Sequence, residues 1–208
     1  MARQSHVRKT FCTTREAAQI LGVSLRTAQL WSESGLLEAW KTEGGHRRIS
    51  RESVQRLLAD PVVQESSAHA HAEASGPHQF SVLVAEDEAA LRMLYQFNLD
   101  NWSLKPWVSM AVDGYEALMR IGLDRPDLLI TDLRMPDMDG FRMLRAIRNQ
   151  PELAGMTIIV VTGLEQAEID EQGGLPEGIQ VLHKPIPFKE LEDIANRVAA
   201  ALPRQAKA

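Results

Sequence analysis

Four places in this 208-residue chain combine residue types that can do chemistry together: the acid pair Glu86-Asp87, then Asp132, Thr162 and Lys184. Each follows a short apolar run that reads as a buried strand: Phe80 to Ala85, Leu128 to Thr131, Thr157 to Val161 and Ile179 to Leu182. In a doubly wound parallel sheet the carboxyl ends of the strands converge on one crevice. Three carboxylates gathered there repel one another unless a cation compensates them, and hard oxygen donors with room for water suit Mg²⁺. The alternative, in which each acid caps the helix after it, accounts for one or two of them. It leaves their assembly with Thr162 and Lys184 unexplained.

The intervening segments carry helical periodicity. Ala90, Met93, Leu94 and Phe97 mark one face of a helix after the first strand, and a weaker strand runs from Pro106 to Met110. Asp113 and Glu116 cap a helix that turns Ala117, Leu118 and Ile121 inward. The stretch from Leu164 to Gly178, with Gly173-Gly174 and Pro176, predicts a short irregular helix. The last helix starts near Pro187, with an apolar stripe of Leu191, Ile194, Ala195, Val198 and Leu202. The pattern predicts the α/β class: a doubly wound, five-stranded parallel sheet with five helices on its two faces.

The net charge of −5 conceals two opposed terms. Residues 1–60 hold 10 Lys/Arg against 6 Asp/Glu, whereas residues 61–208 hold 13 against 22. The organisation read from composition is therefore a small basic domain over 1–60, a flexible linker over 61–79 rich in Ala, Ser and His, and the α/β domain over 80–203. His69, His71 and His78 in the linker read as a solvated spacer. No apolar run approaches the roughly 18 residues of a membrane helix, and no apolar core follows Arg3, Arg8 and Lys9, so a cytoplasmic protein without a membrane partner is expected. The single cysteine, Cys12, excludes an internal disulfide and reads as a small, partly buried side chain.

In the first sixty residues Thr13 and Glu16 have the spacing of a capping box. Ala17, Ile20 and Leu21 form an apolar face, Gly22 permits a tight turn, and Ser24 caps a second helix that carries Ala28 and Trp31 inward. An extended hairpin follows, Leu36 to Trp40 and Arg47 to Ser50, and Ser50 caps a third helix with Val54, Leu57 and Leu58. Trp31 and Trp40 both fall on apolar faces and read as core. The arrangement is a helix-turn-helix with a wing.

This stretch, TTREAAQILGVSLRTAQLWSESGLL followed by GGHRRIS, resembles the winged helix-turn-helix domains of the MerR and excisionase families. The resemblance implies double-stranded DNA as partner, with Ser24, Arg26 and Gln29 of the second helix facing bases or phosphates and Lys41, His46, Arg47 and Arg48 holding the wing to the backbone. Arg and Gln suit this role because their forked donors match base edges and phosphates. MerR proteins usually continue into a dimerising coiled coil; here the linker stands in its place.

The larger domain closely resembles the receiver domain of two-component response regulators. VLVAEDE, LLITDLRMPDMDG, VVTG and HKP stand in the family order, with separations of 45, 30 and 22 residues between Asp87, Asp132, Thr162 and Lys184. The resemblance implies a flavodoxin-like fold that is no enzyme in the ordinary sense. Asp132 would take a phosphoryl group from a sensor histidine kinase or phosphotransfer protein, and Thr162 and Lys184 would bind its oxygens. Glu86, Asp87, Asp132 and the backbone carbonyl of Arg134 would hold Mg²⁺. It also implies that Arg134 and Leu164 tune dephosphorylation and that the Lys184-Pro185 bond is a candidate for cis. One departure is Val181, where the family usually carries an aromatic switch residue. The combined reading is a DNA-binding response regulator controlling transcription, with a homodimer through the receiver as one possible route to output. The alternatives are a receiver adaptor acting by protein–protein interaction and a phosphorylation-independent transcription factor that uses the receiver to dimerise.

Overall fold

Helix α1 (Thr14–Leu21) begins where the sequence places a capping box: the Thr13 backbone N–H donates to Glu16 Oε2 at 2.7 Å, and the Glu16 N–H donates to Thr13 Oγ1 at 3.2 Å. Gly22 ends it in the left-handed region, at φ 70°. Ser24 then caps α2 (Leu25–Ser34), and Ser50 caps α3 (Arg51–Leu58). Beside these helices lies a three-stranded antiparallel sheet of β1 (Phe11–Cys12), β2 (Ala39–Lys41) and β3 (Arg47–Ser50), in the order β1-β3-β2. Residues 10–61, 63 and 79–202 are described by the computed structural model. The chain divides into two compact units, Met1–Gln64 and Glu65–Ala208.

The core of the first unit is built from Ala17, Ala18, Leu21, Ala28, Leu30, Trp31, Leu37, Ile49, Val54 and Leu57. Three expectations need correction. Ile20 and Leu58 are each more than a third exposed, because α1 turns the Ala17-Ala18-Leu21 face inward and α3 presents Val54 and Leu57. Trp40 is 46% exposed, since β2 is an edge strand with all three residues open to solvent. Its ring meets Phe11 edge-on at 6.0 Å, and the Arg48 guanidinium lies 5.8 Å from the centre of the Phe11 ring. Strand β1 has no counterpart among the expected elements; it pairs with β3, opposing Phe11 to Ser50 and Cys12 to Ile49. The expected linker lies almost entirely outside the described residues, as do its three histidines. Pro61 and Val63 are helical and Val63 is buried, so ordered chain of the first unit extends beyond Asp60.

The second unit alternates β4 (Ser81–Ala85), α4 (Ala89–Asp100), β5 (Trp107–Ala111), α5 (Gly114–Asp124), β6 (Leu128–Thr131), α6 (Gly140–Arg148), β7 (Thr157–Thr162), α7 (Gln166–Glu171), β8 (Gln180–His183) and α8 (Phe188–Ala201). The strands form one parallel sheet in the order β5-β4-β6-β7-β8, the flavodoxin-like arrangement. One face buries Val82, Val84, Leu128, Ile130, Ile159, Val161 and Leu182 against Tyr95, Leu99, Leu191, Ile194 and Ala195. Leu83, Leu129, Ile158 and Val160, the alternate residues, are buried on the opposite face. The Lys184-Pro185 bond is cis.

On α4 the inward face differs from the expected one. Met93 and Phe97 are 69% and 70% exposed, and Leu94 is also exposed, while Tyr95 and Leu99 are buried together with Trp102 just beyond the helix. The helix carries two apolar stripes of similar period. The one that ends in Trp102 removes more aromatic surface from water, and Tyr95 meets Phe188 edge-on at 5.5 Å.

Cys12, the only thiol of the chain, is buried, and burial raises its pKa above the usual thiol value against an opposing Arg51. Iodoacetamide should therefore modify the native protein at least about tenfold more slowly than the urea-unfolded chain, followed by intact mass. Equal rates would show that the β1 edge opens freely.

Candidate functional site

The parallel register brings the strand ends level. The Glu86 N–H, just past β4, donates to Ala111 O at 3.1 Å, and the Asp132 N–H, just past β6, donates to Ala85 O at 3.0 Å. On the far side the Lys184 N–H, just past β8, donates to Thr162 O at 2.9 Å. The backbone ladder itself thus delivers an acid, a second acid and a lysine to one edge of the sheet.

Their side chains meet there. Lys184 Nζ donates to Asp132 Oδ2 at 2.6 Å and to Glu86 Oε2 at 3.0 Å, a three-membered charge cluster whose acids are almost fully buried. The other Asp132 oxygen accepts from the N–H groups of Leu133 and Arg134, at 2.5 and 3.2 Å. Burial raises the Glu86 pKa and Lys184 opposes the rise. Burial by itself would lower the Lys184 pKa, but the hydrogen bonds to Asp132 and Glu86 outweigh it and hold the ammonium above its usual value. The lysine is therefore a firm cation held between two carboxylates.

The remaining expected residues stand around this cluster without touching it. Thr162 ends β7 fully buried, its hydroxyl accepting from the Leu164 N–H at 3.3 Å. Asp87 is exposed at the rim, where it lines an open depression of about 420 Å³ with Arg134, Met135 and Gln172. The Arg134 guanidinium turns outward to Glu168 of α7 at 3.0 Å. Convergence of three carboxylates is thus met by two of them. Among the described residues no three His, Cys, Asp or Glu side chains are gathered at metal-ligand spacing. The donor set nevertheless suits a hard divalent cation, because two buried carboxylates share a single ammonium and their chain neighbours Asp87 and Arg134 line an open depression.

Two glycines permit this closeness. A Cβ on Gly140, the first residue of α6, would lie 2.5 Å from Asp132 O and 2.8 Å from Leu133 Cα; one on Gly114 would lie 2.6 Å from Met138 O. Helices α5 and α6 can approach the loop after β6 only without side chains at these points. Arg92, absent from the sequence reading of the site, reaches back from α4 to the loop after β4; an arginine five residues past an acid pair is a weak signal in sequence alone.

In the first unit, Arg26, Lys41 and His46 are exposed, Gln29 is half-buried, and the Ser24 hydroxyl is occupied as the cap of α2 through the Thr27 N–H at 3.0 Å. Arg47 does not project freely from the wing. It donates to Ser32 Oγ at 3.0 Å and, through both terminal nitrogens, to Glu33 Oε1 at 3.1 and 3.0 Å, bracing β3 against α2. Arg48 is held by Phe11 and by Arg47 O at 3.2 Å.

Two substitutions test this construction. Lys184→Met, which leaves two buried acids without their cation, should cost about 1–3 kcal/mol in urea unfolding at pH 7, less than a wholly buried pair because the lysine is partly exposed, and adding Glu86→Gln should return part of the loss. Gly140→Ala should cost about 1–3 kcal/mol through the contact with the Asp132 backbone. Wild-type stability for either would contradict the geometry.

Comparison with known proteins agrees with this architecture. The model of the response regulator receiver domain matches residues 82–196, and that of a helix-turn-helix domain matches residues 11–60. Sensor protein EvgS of Escherichia coli K12 is 35% identical over 119 residues, covering 56% of this chain and 9% of EvgS. Regulator of RpoS of the same organism is 36% identical over 124 residues, covering 58% of this chain and 34% of that protein, so the chain spans about a third or less of these relatives. The crystal structure of chemotaxis protein CheY4 of Vibrio cholerae is 28% identical with a TM-score of 0.51, covering 58% of this chain and 99% of that one. Among the described residues no helix is long and apolar enough to cross a membrane. With a receiver matched over more than half its length and a helix-turn-helix domain before it, the chain belongs to the response regulator receiver domain family.

Proposed function

We propose that the protein is a DNA-binding response regulator in which phosphorylation of Asp132 controls transcription. The observation that carries this reading is the Asp132 carboxylate at the end of β6, one oxygen on Lys184 at 2.6 Å and the acid Glu86 on the same ammonium. Phosphoryl transfer would proceed by attack of an Asp132 oxygen on the phosphorus of a phosphohistidine. A P–O bond forms, the P–N bond breaks, and the nitrogen leaves with the bonding pair.

The residues divide the work by charge. Lys184 is already a cation beside the attacking carboxylate, so a hydrogen bond now made to that carboxylate can pass to a phosphoryl oxygen. Thr162 ends the neighbouring strand, and its hydroxyl, which accepts from the Leu164 N–H, would offer its proton to a second phosphoryl oxygen. Glu86, Asp87, Asp132 and the Arg134 carbonyl would hold Mg²⁺. Bound there, the ion supplies charge compensation between the anionic nucleophile and the incoming phosphoryl group. The donor is a sensor histidine kinase or a phosphotransfer protein, and the cytoplasm is the compartment in which both would meet DNA.

Output is assigned to the first unit. Helix α2 presents Arg26 and Gln29, and the wing presents Lys41 and His46, to double-stranded DNA, with Ser24 at the start of the helix. Arg47 and Arg48 serve this surface first by fixing the wing to α2 and β1. That engagement is also what favours a second reading, a receiver adaptor that binds proteins, because it leaves fewer cations for phosphate.

With Mg²⁺ and acetyl phosphate the wild type should gain one phosphoryl group in intact mass and Asp132→Asn none; equal modification would remove Asp132 as acceptor. In binding assays on DNA selected from random sequence, Arg26→Ala and Lys41→Ala should each weaken binding, and the loss of a phosphate contact should lower the salt slope by about 1. Unchanged affinity in both would favour the adaptor.

A further inference from the structure

Each acid at the sheet edge is held in place except one. Glu86 and Asp132 are fixed by Lys184, whereas the Asp87 carboxylate is exposed, and among the described residues no side chain holds it. Its backbone is held instead. Arg92 Nη1, one turn into α4, donates to Glu86 O at 2.8 Å and to Asp87 O at 2.6 Å. The Glu86 carbonyl belongs to the peptide plane before the Asp87 Cα and the Asp87 carbonyl to the plane after it. A single guanidinium nitrogen thereby restrains both planes, and with them φ and ψ of Asp87, which set the direction of its Cα–Cβ bond. The Glu86 N–H on Ala111 O at 3.1 Å, the Glu88 N–H on Glu86 Oε1 at 3.3 Å and the Arg92 N–H on Glu88 O at 3.0 Å add to the restraint of this turn.

We propose that Arg92 is a positioning residue that aims the Asp87 carboxylate at a divalent cation bound beside Glu86 and Asp132. This role rests on the reading of the acid cluster as a Mg²⁺ site. It makes Arg92 an outer partner of a metal ligand acting through the main chain, and loss of such partners typically weakens metal affinity about 10- to 100-fold. Charge alone requires the opposite sign: removing a cation near a cation site should tighten binding. The two effects are therefore separable by direction.

The test is calorimetric titration of the full chain with MgCl₂, alongside melting of the metal-free protein by circular dichroism. Arg92→Met should weaken Mg²⁺ binding about tenfold or more with a metal-free melting temperature close to wild type, and Arg92→Lys, which retains a donor, should recover part of the affinity. Unchanged or tighter binding by Arg92→Met would overturn the proposal, and so would a lowered melting temperature with wild-type affinity, the signature of a merely structural arginine. Should Arg92→Met fail to fold, wild-type affinity in Arg92→Lys with weakened affinity in Arg92→Gln supports the proposal in its place, and wild-type affinity in both overturns it. Asp87→Asn separates the two levels. If the wild type takes up no Mg²⁺, or binds no better than Asp87→Asn, the metal-site reading fails and this role falls with it; if Asp87→Asn is weakened and Arg92→Met is not, only the role of Arg92 fails.

Discussion

A single ammonium group between two buried carboxylates is the constraint on which the larger unit turns. Lys184 lies on the last strand's exit, Glu86 on the first strand's and Asp132 on the third's, so their contact requires the parallel sheet to be assembled in register from β4 to β8. The chemistry at this edge needs the carboxylates to stay close, and closeness of like charges is costly without a compensating cation. Lys184 supplies that charge from within the chain. Because there are two acids and one lysine, the cluster retains a demand for further positive charge on its open side.

The rest of the unit is arranged to keep that edge undistorted. Glycines at 114 and 140 let two helices close on the loop after β6 where any Cβ would meet main-chain atoms. Helix α7 is lightly anchored. It has six residues with only Ile169 buried, and Arg134 ties it to the loop that carries Asp132. Val181, the departure from the receiver pattern noted in the sequence, is half-buried on β8.

What could be read from the sequence was what depends on neighbours in the chain. Capping by Thr13, Ser24, Ser50 and Asp113 follows from one turn of backbone, and the strand ends carrying Asp132 and Thr162 follow from short apolar runs. The inward face of α4 is ambiguous in sequence because Ala90-Met93-Phe97 and Tyr95-Leu99-Trp102 share a helical period, and only packing against α8 chooses between them. Trp40 escapes the pattern for a similar reason: alternation cannot reveal that a strand lies at a sheet edge. The bracing of Arg47 by Glu33, 14 residues earlier, and the hold of Arg92 on two carbonyls depend on tertiary approach. A basic pair and an isolated arginine carry no sign of such partners.

The phosphoryl chemistry proposed for this edge depends on Asp132, among several acids there, being the nucleophile. After exposure to acetyl phosphate and Mg²⁺, borohydride reduction converts an acyl phosphate to the corresponding alcohol, and peptide mass spectrometry then locates it. The reduced residue, homoserine, is expected at position 132 alone. Reduction at Glu86 or Asp87, or a phosphoryl group found on a histidine, would contradict that assignment.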